Sequence, residues 1–163
     1  MATVTTIVDL KTAFLDELQA LGISSDTAAA PAEVQVSYAR PPVDQVRSEC
    51  VYFSDELQTI GEAEQRMTSG RRKRFNTWEL QIIVLTAIRS NAEAAERSNF
   101  AIVQAIEGFL ADSPQPSEWP TTPVTSGALY IIITGYEVRH YEDVEGFRAV
   151  ETTITTEVKE RLV

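Results

Sequence analysis

Residues 75–112 read FNTWELQIIVLTAIRSNAEAAERSNFAIVQAIEGFLAD, and a change of period inside this stretch decides the fold. Its first half alternates. Trp78, Leu80, Ile82, Val84 and Ile88 fall on one face of an extended strand, and Thr77, Glu79 and Gln81 on the other. Ile83, Leu85 and Ala87 make the far end apolar on both faces, which predicts a strand central in its sheet and covered at that end. The period then becomes helical. Ser90-Asn91-Ala92-Glu93 reads as a capping box, with the Ser90 hydroxyl and the Glu93 carboxylate each satisfying a backbone N–H. Ala95, Asn99, Ile102, Val103, Ile106, Phe109 and Leu110 follow at helical spacing, and Pro114 and Pro116 close the helix.

Working outward, residues 5–21 form a first amphipathic helix. Ile7, Leu10, Phe14, Leu18 and Leu21 make its stripe, Asp9, Asp16 and Glu17 lie off it, and Gly22 is suited to the C′ position. Residues 33–39 alternate around Val34, Val36 and Tyr38 and are read as a strand ending at Arg40-Pro41-Pro42. Residues 48–54 form a second strand, with Val51 and Phe53 on one face and Cys50 and Tyr52 on the other. Strands are expected at 76–89, 129–141 (bent near Gly135) and 148–162, with helices at 5–21 and 91–111. In the last strand Val150, Ile154, Val158 and Leu162 share a face with Thr152 and Thr156, while Glu151, Thr153, Thr155, Glu157 and Lys159 take the wet one. The predicted fold is α+β: a mainly antiparallel sheet with two helices packed on one face, a tail-terminator-like sandwich in the terms of the resemblance below. Its core is expected from Leu10, Phe14, Leu18, Leu80, Ile82, Val84, Ile102, Val103, Ile106, Ile154 and Val158.

Two stretches resist periodic reading. Residues 55–74 form an extended excursion between two neighbouring strands, a long hairpin reaching beyond the domain being one reading of it, and end in Arg71-Arg72-Lys73-Arg74, the one strong charge cluster in the chain. Residues 112–127 place Pro114, Pro116, Pro120 and Pro123 around Trp119, a long loop of the kind that tends to carry function. Trp119 is either an interface anchor or a ring folded back on its own domain; both readings stand at this level.

Composition narrows the class. With 163 residues the chain is read as a single domain spanning 1–163, large enough to bury a core without staples. A net charge of −10 argues against a module that binds by neutralising phosphates. One cysteine excludes an intrachain disulfide and a thiolate metal cluster. No apolar run reaches the roughly 18 residues of a membrane span, and the start lacks a basic n-region, so folding in a reducing cytoplasm is expected. Chemistry is sparse. His140, the single histidine, lies mid-strand, and Cys50 lies in an apolar strand, so neither reads as a catalytic group. Asp55, Glu56, Glu62 and Glu64 could cup a cation, but unpatterned carboxylates are ordinarily solvated. No enzyme, cofactor or metal is expected.

The order of elements resembles the tail terminator (tail completion) proteins of long-tailed bacteriophages, the group that includes the lambdoid minor tail protein U. The matching parts are the N-terminal helix, the Val34–Tyr38 and Val51–Phe53 strands, and the excursion ending Gly70-Arg71-Arg72-Lys73-Arg74 before the Trp78–Ile88 strand. The helix Glu93–Leu110 and the pair of strands closing with Gly146-Phe147-Arg148-Ala149 and Arg161-Leu162 complete it. Terminators of actinobacterial phages are similar in a Gly-Arg-Arg-type stretch before the third strand and in such a closing strand. The resemblance implies a structural virion protein at the head-proximal end of the tail. It would form a homo-oligomeric, hexameric ring that stops tube polymerisation and joins the tail tube protein to a head–tail connector or neck protein. DNA would pass through the lumen without specific binding, and no membrane is involved. Arg71, Arg72, Lys73, Arg74, Trp119, Glu62 and Glu64 are the candidate subunit or tail-tube contacts. Alternatives are a neck or head-completion protein of related fold, or a small-molecule-binding or catalytic α+β domain.

Overall fold

The computed structural model describes residues 2–23, 34–42, 44, 48–55, 64–68, 71–89, 91–142 and 147–162. The chain runs α1 (Ala2–Leu21), β1 (Gln35–Ser37), β2 (Glu49–Phe53), β3 (Glu64–Thr68), β4 (Arg71–Arg89), α2 (Ala92–Asp112), β5 (Ala128–Glu142) and β6 (Phe147–Leu162). A 3-10 turn at Pro116–Glu118 lies between α2 and β5. The six strands form one sheet in the order β1-β2-β4-β6-β5, with β3 paired to the first residues of β4. Every pairing is antiparallel except β1 with β2. The fold is α+β, as the periodicities require.

The two-sided strand is central. β4 lies between β2 and β6, pairing Val51 with Val84 on one side and Ile82 with Ile154 on the other. Its even positions join both helices in the main core, which contains all eleven residues expected from the stripes. Both helices therefore cover the same face. On the opposite face Ile83 is buried beside Cys50 and Tyr52, with Leu85 packed against them. That small cluster accounts for the apolar odd positions of β4.

The helix termini differ in detail from expectation. Asn91 caps α2, its Oδ1 accepting the Ala94 N–H at 2.9 Å. Glu93 pairs with Arg97 one turn on at 2.8 Å. Ser90, the expected cap, lies outside the described residues. A side chain at position 91 can reach the N–H three residues on, and Asn is as good a cap as Ser. Gly22 ends α1 at φ +58°, where a side chain would be strained. Leu21, placed on the apolar stripe, is 47% exposed at the last residue of the helix.

Polar side chains lock α2 to the sheet. Asn99 is fully buried and donates to the carbonyls of Val84 and Val150, both at 2.9 Å, while accepting from the Thr152 hydroxyl. Thr86 donates to the Ala95 carbonyl at 2.9 Å, and Ser98 to Glu49 at 2.6 Å. Such a buried network fixes register and angle between layers, where an all-apolar interface could slide, and the second Glu49 carboxylate oxygen has no partner among the described residues.

Candidate functional site

The two irregular stretches of the sequence part ways in the structure. The Pro-rich loop is folded onto the core. Trp119 is 1% exposed, its ring 5.6 Å from both Phe14 and Phe109, and its indole N–H donates to the Ser113 carbonyl at 2.8 Å. Both ends of the indole are satisfied inside the domain, so Trp119 presents no ring surface to a partner; of its two readings, the fold-back holds. The loop is tied down from below as well. Glu17, which lies off the apolar stripe of α1, is buried and accepts the Thr121 and Thr122 N–H groups at 2.7 and 2.8 Å. Asp16 accepts the Thr122 hydroxyl at 2.8 Å. Within the loop Val124 N–H donates to Pro116 O, and Ile131 N–H to Pro114 O, each at 2.8 Å.

The basic stretch is strand. Arg71–Arg74 form the first residues of β4, and β3 pairs with them from Thr68↔Arg71 to Glu64↔Phe75. Beyond Arg74↔Leu162 the neighbouring β6 gives out, so the β3–β4 hairpin continues past the end of the main sheet. Its sequence holds Arg66 and Arg71–Arg74, five of the chain's 14 Lys and Arg, against a single one of its 24 Asp and Glu. The remainder of the chain is therefore still more acidic than the total of −10 suggests. Glu64 lies on β3, at the base of this hairpin. Glu62 and Glu56, two of the carboxylates considered for a cation, lie outside the described residues; among those described, no group of three His, Cys, Asp or Glu side chains could hold a metal.

The remaining reactive groups have structural surroundings. Cys50 is fully buried, and burial pushes its thiol up to about 11, away from thiolate chemistry at neutral pH. Burial, with Glu151 nearby, pushes the Tyr52 phenol up to about 12. His140 is exposed and stands 3.5 Å from Glu96. A polar trough of about 440 Å³ crosses the helix-free face between Arg40, Asp55, Gln81, Glu137, Arg139 and Glu151. Arg139 and Glu137 are already paired there at 2.5 Å.

A surface that sequence reading missed lies at the outer strand. α2 covers β4 and β6 but leaves the outer half of β5 open, and a shallow, mostly apolar groove of about 320 Å³ runs between Phe100, Val103, Tyr136 and Val138. Glu107 lines its rim; burial raises the Tyr136 phenol, and Glu107 beside it adds to the shift. The alternation of β5 gives no hint of this exposure, because Tyr136 and Val138 face the helical side, beside Phe100 and Glu107 of α2, and are still only partly covered.

No protein-family model matches the chain, and no curated protein matches it. Among solved structures it is similar to a chain of the "Virion of native gene transfer agent (GTA) particle". The identity is 13% and the TM-score 0.43, over 87% of this chain and 91% of that one.

Proposed function

We propose that this chain is a structural virion protein of tail-terminator type. Copies of it form a ring on the head-proximal end of a tail tube, stop the tube's growth and dock it to the head connector, with DNA passing through the lumen. The observation that carries this reading is the segregation of charge. A basic hairpin projects past the sheet of an otherwise acidic chain, and such a subunit is complementary to copies of itself in a head-to-tail sense. The order of elements, the Gly70–Arg74 stretch ahead of β4 and the Arg161-Leu162 ending of β6 support the terminator assignment through the family resemblance. A non-catalytic role is supported by the burial of Cys50 and by the exposed position of His140, whose neighbour is Glu96. The test is electron microscopy of the purified protein alone and mixed with tail tubes. Rings alone, or single rings capping one end of tubes of limited length, are expected. A monomer that never associates with itself or with tubes refutes the proposal.

A further inference from the structure

The sheet has two outer edges, and they are built differently. β1 is three residues long and is followed by Pro41 and Pro42, so little backbone is left to pair. β5 is fifteen residues long, contains no proline, and among the described residues carries no strand on its outer side. Sheets ordinarily blunt such an edge with short strands, prolines or charges, because an open ladder recruits other chains. Here the open edge is also apolar. Of nine exposed large hydrophobic residues among those described, Leu129, Ile132, Tyr136, Val138 and Tyr141 are on β5. On the helical side Tyr136 (49% exposed), Val138 (39%) and Phe100 (38%) border the shallow groove.

We propose that the outer edge of β5, with the groove between Phe100, Tyr136 and Val138, receives the β3–β4 hairpin of a second copy of this chain. This rests on the ring reading and names its contact. The hairpin has a matching free side: β3 pairs only with β4 among the described residues, so its outer edge can extend the ladder of β5. Charge agrees. Glu107 on α2 lines the groove, Glu96 stands further along the same helix beside His140 of β5, and the hairpin brings five cations. Aromatic side chains at a rimmed groove are the residue types that anchor interfaces.

A copy cannot serve itself. Its hairpin leaves the sheet where Arg74 pairs with Leu162, whereas Tyr136 pairs with Ile154. Those positions are about eight residues apart along β6, on the order of 26 Å at ~3.3 Å per residue. The hairpin therefore lies beyond one end of the strands and its seat near their middle, too far away for one copy to fill its own groove, and each copy gives one and receives one. That is a heterologous contact, which closes into a ring or runs on as a filament.

The test places a photoreactive benzoylphenylalanine at position 136 of the full chain, with the same group at the exposed position 21 as control. Illumination over a concentration series should link position 136, and not position 21, to peptides covering 64–74 of another copy. Val138→Arg, at an exposed position, should weaken association at least tenfold while the far-UV spectrum is unchanged. If copies associate but position 136 links elsewhere and Val138→Arg associates as well as the parent, this contact is wrong and the ring reading stands. If the parent chain does not associate at any concentration, both fall.

Discussion

The Pro-rich loop at 112–127 and the basic stretch at 71–74 look alike in one respect: neither has a period, and each carries a residue type found at interfaces. The structure treats them in opposite ways. The loop holds Pro116, Trp119 and Val124 as buried points and is bound by Glu17 from α1. The basic stretch has no such apolar anchor among Arg71–Arg74 and runs out beyond β6. A tryptophan has enough apolar area to be drawn into whatever core lies nearby, provided its N–H finds an acceptor. Four cations in a row cannot be buried without partners, so the strand that carries them projects. Position in an irregular segment says little; what the side chain costs to bury decides.

The strongest way to break this contrast is Trp119→Ala. If the loop is part of the core, the substitution removes a ring packed on Phe14 and Phe109 and should cost about 3–5 kcal/mol, read as a shift in denaturant midpoint. A loss under roughly 1 kcal/mol would place Trp119 outside the core and return it to the list of contacts.

Glu17→Ala is expected to cost about 1–3 kcal/mol, since it strips the acceptor from two backbone N–H groups of the loop. Hydrogen exchange should show the loss at Thr121 and Thr122 first. Unchanged protection there would mean that Asp16 and the buried ring hold the loop without Glu17.

Between the two regions lies Glu160, fully buried with no hydrogen-bond partner among the described residues for either carboxylate oxygen. It pairs with Asn76 on β4, close to the hairpin, and its Cγ lies 3.8 Å from where a Cβ on Gly127 would stand. Burying an unpaired carboxylate is unfavourable, so Glu160→Gln should raise stability, by on the order of 1 kcal/mol. A destabilised variant would show that the carboxylate has a partner in the folded protein.

Much of this was legible in advance. The stripes of α1, α2, β4 and β6 name the core because each is a long run at one period, and burial follows period closely from Val150 to Glu160. Glu17 and Trp119 were not legible, because their partners are roughly 104 and 6 residues away in sequence and neither distance has a period. The open groove at Phe100, Tyr136 and Val138 was hidden for another reason. Whether a correctly placed apolar residue is covered depends on how completely the helix fills the face of the sheet, and α2 meets β5 while leaving a groove between them. The hairpin was among the readings of 55–74, but the bounds of β3 were not legible, because a five-residue strand reading Glu-Gln-Arg-Met-Thr has almost no apolar alternation to show.

The smallest expected effect on stability, and the sharpest on assembly, belongs to the basic hairpin. Replacing Arg71, Arg72, Lys73 and Arg74 with Ser removes four adjacent like charges that repel one another. Exposed charges contribute only about 0–1 kcal/mol each even when paired, so the denaturant midpoint should move by less than that in total, in sharp contrast to Trp119→Ala. Association is another matter. Long-range attraction between a basic hairpin and an acidic neighbour steers encounter and is screened over about 10 Å at 0.1 M salt. The parent chain should therefore assemble faster as ionic strength falls, and the quadruple variant should be slow and insensitive to salt. Stopped-flow light scattering across a salt series reads both slopes. Equal rates for the two proteins, with no salt dependence in either, would make the hairpin a solvated projection and remove the difference between the two regions that gives it a role.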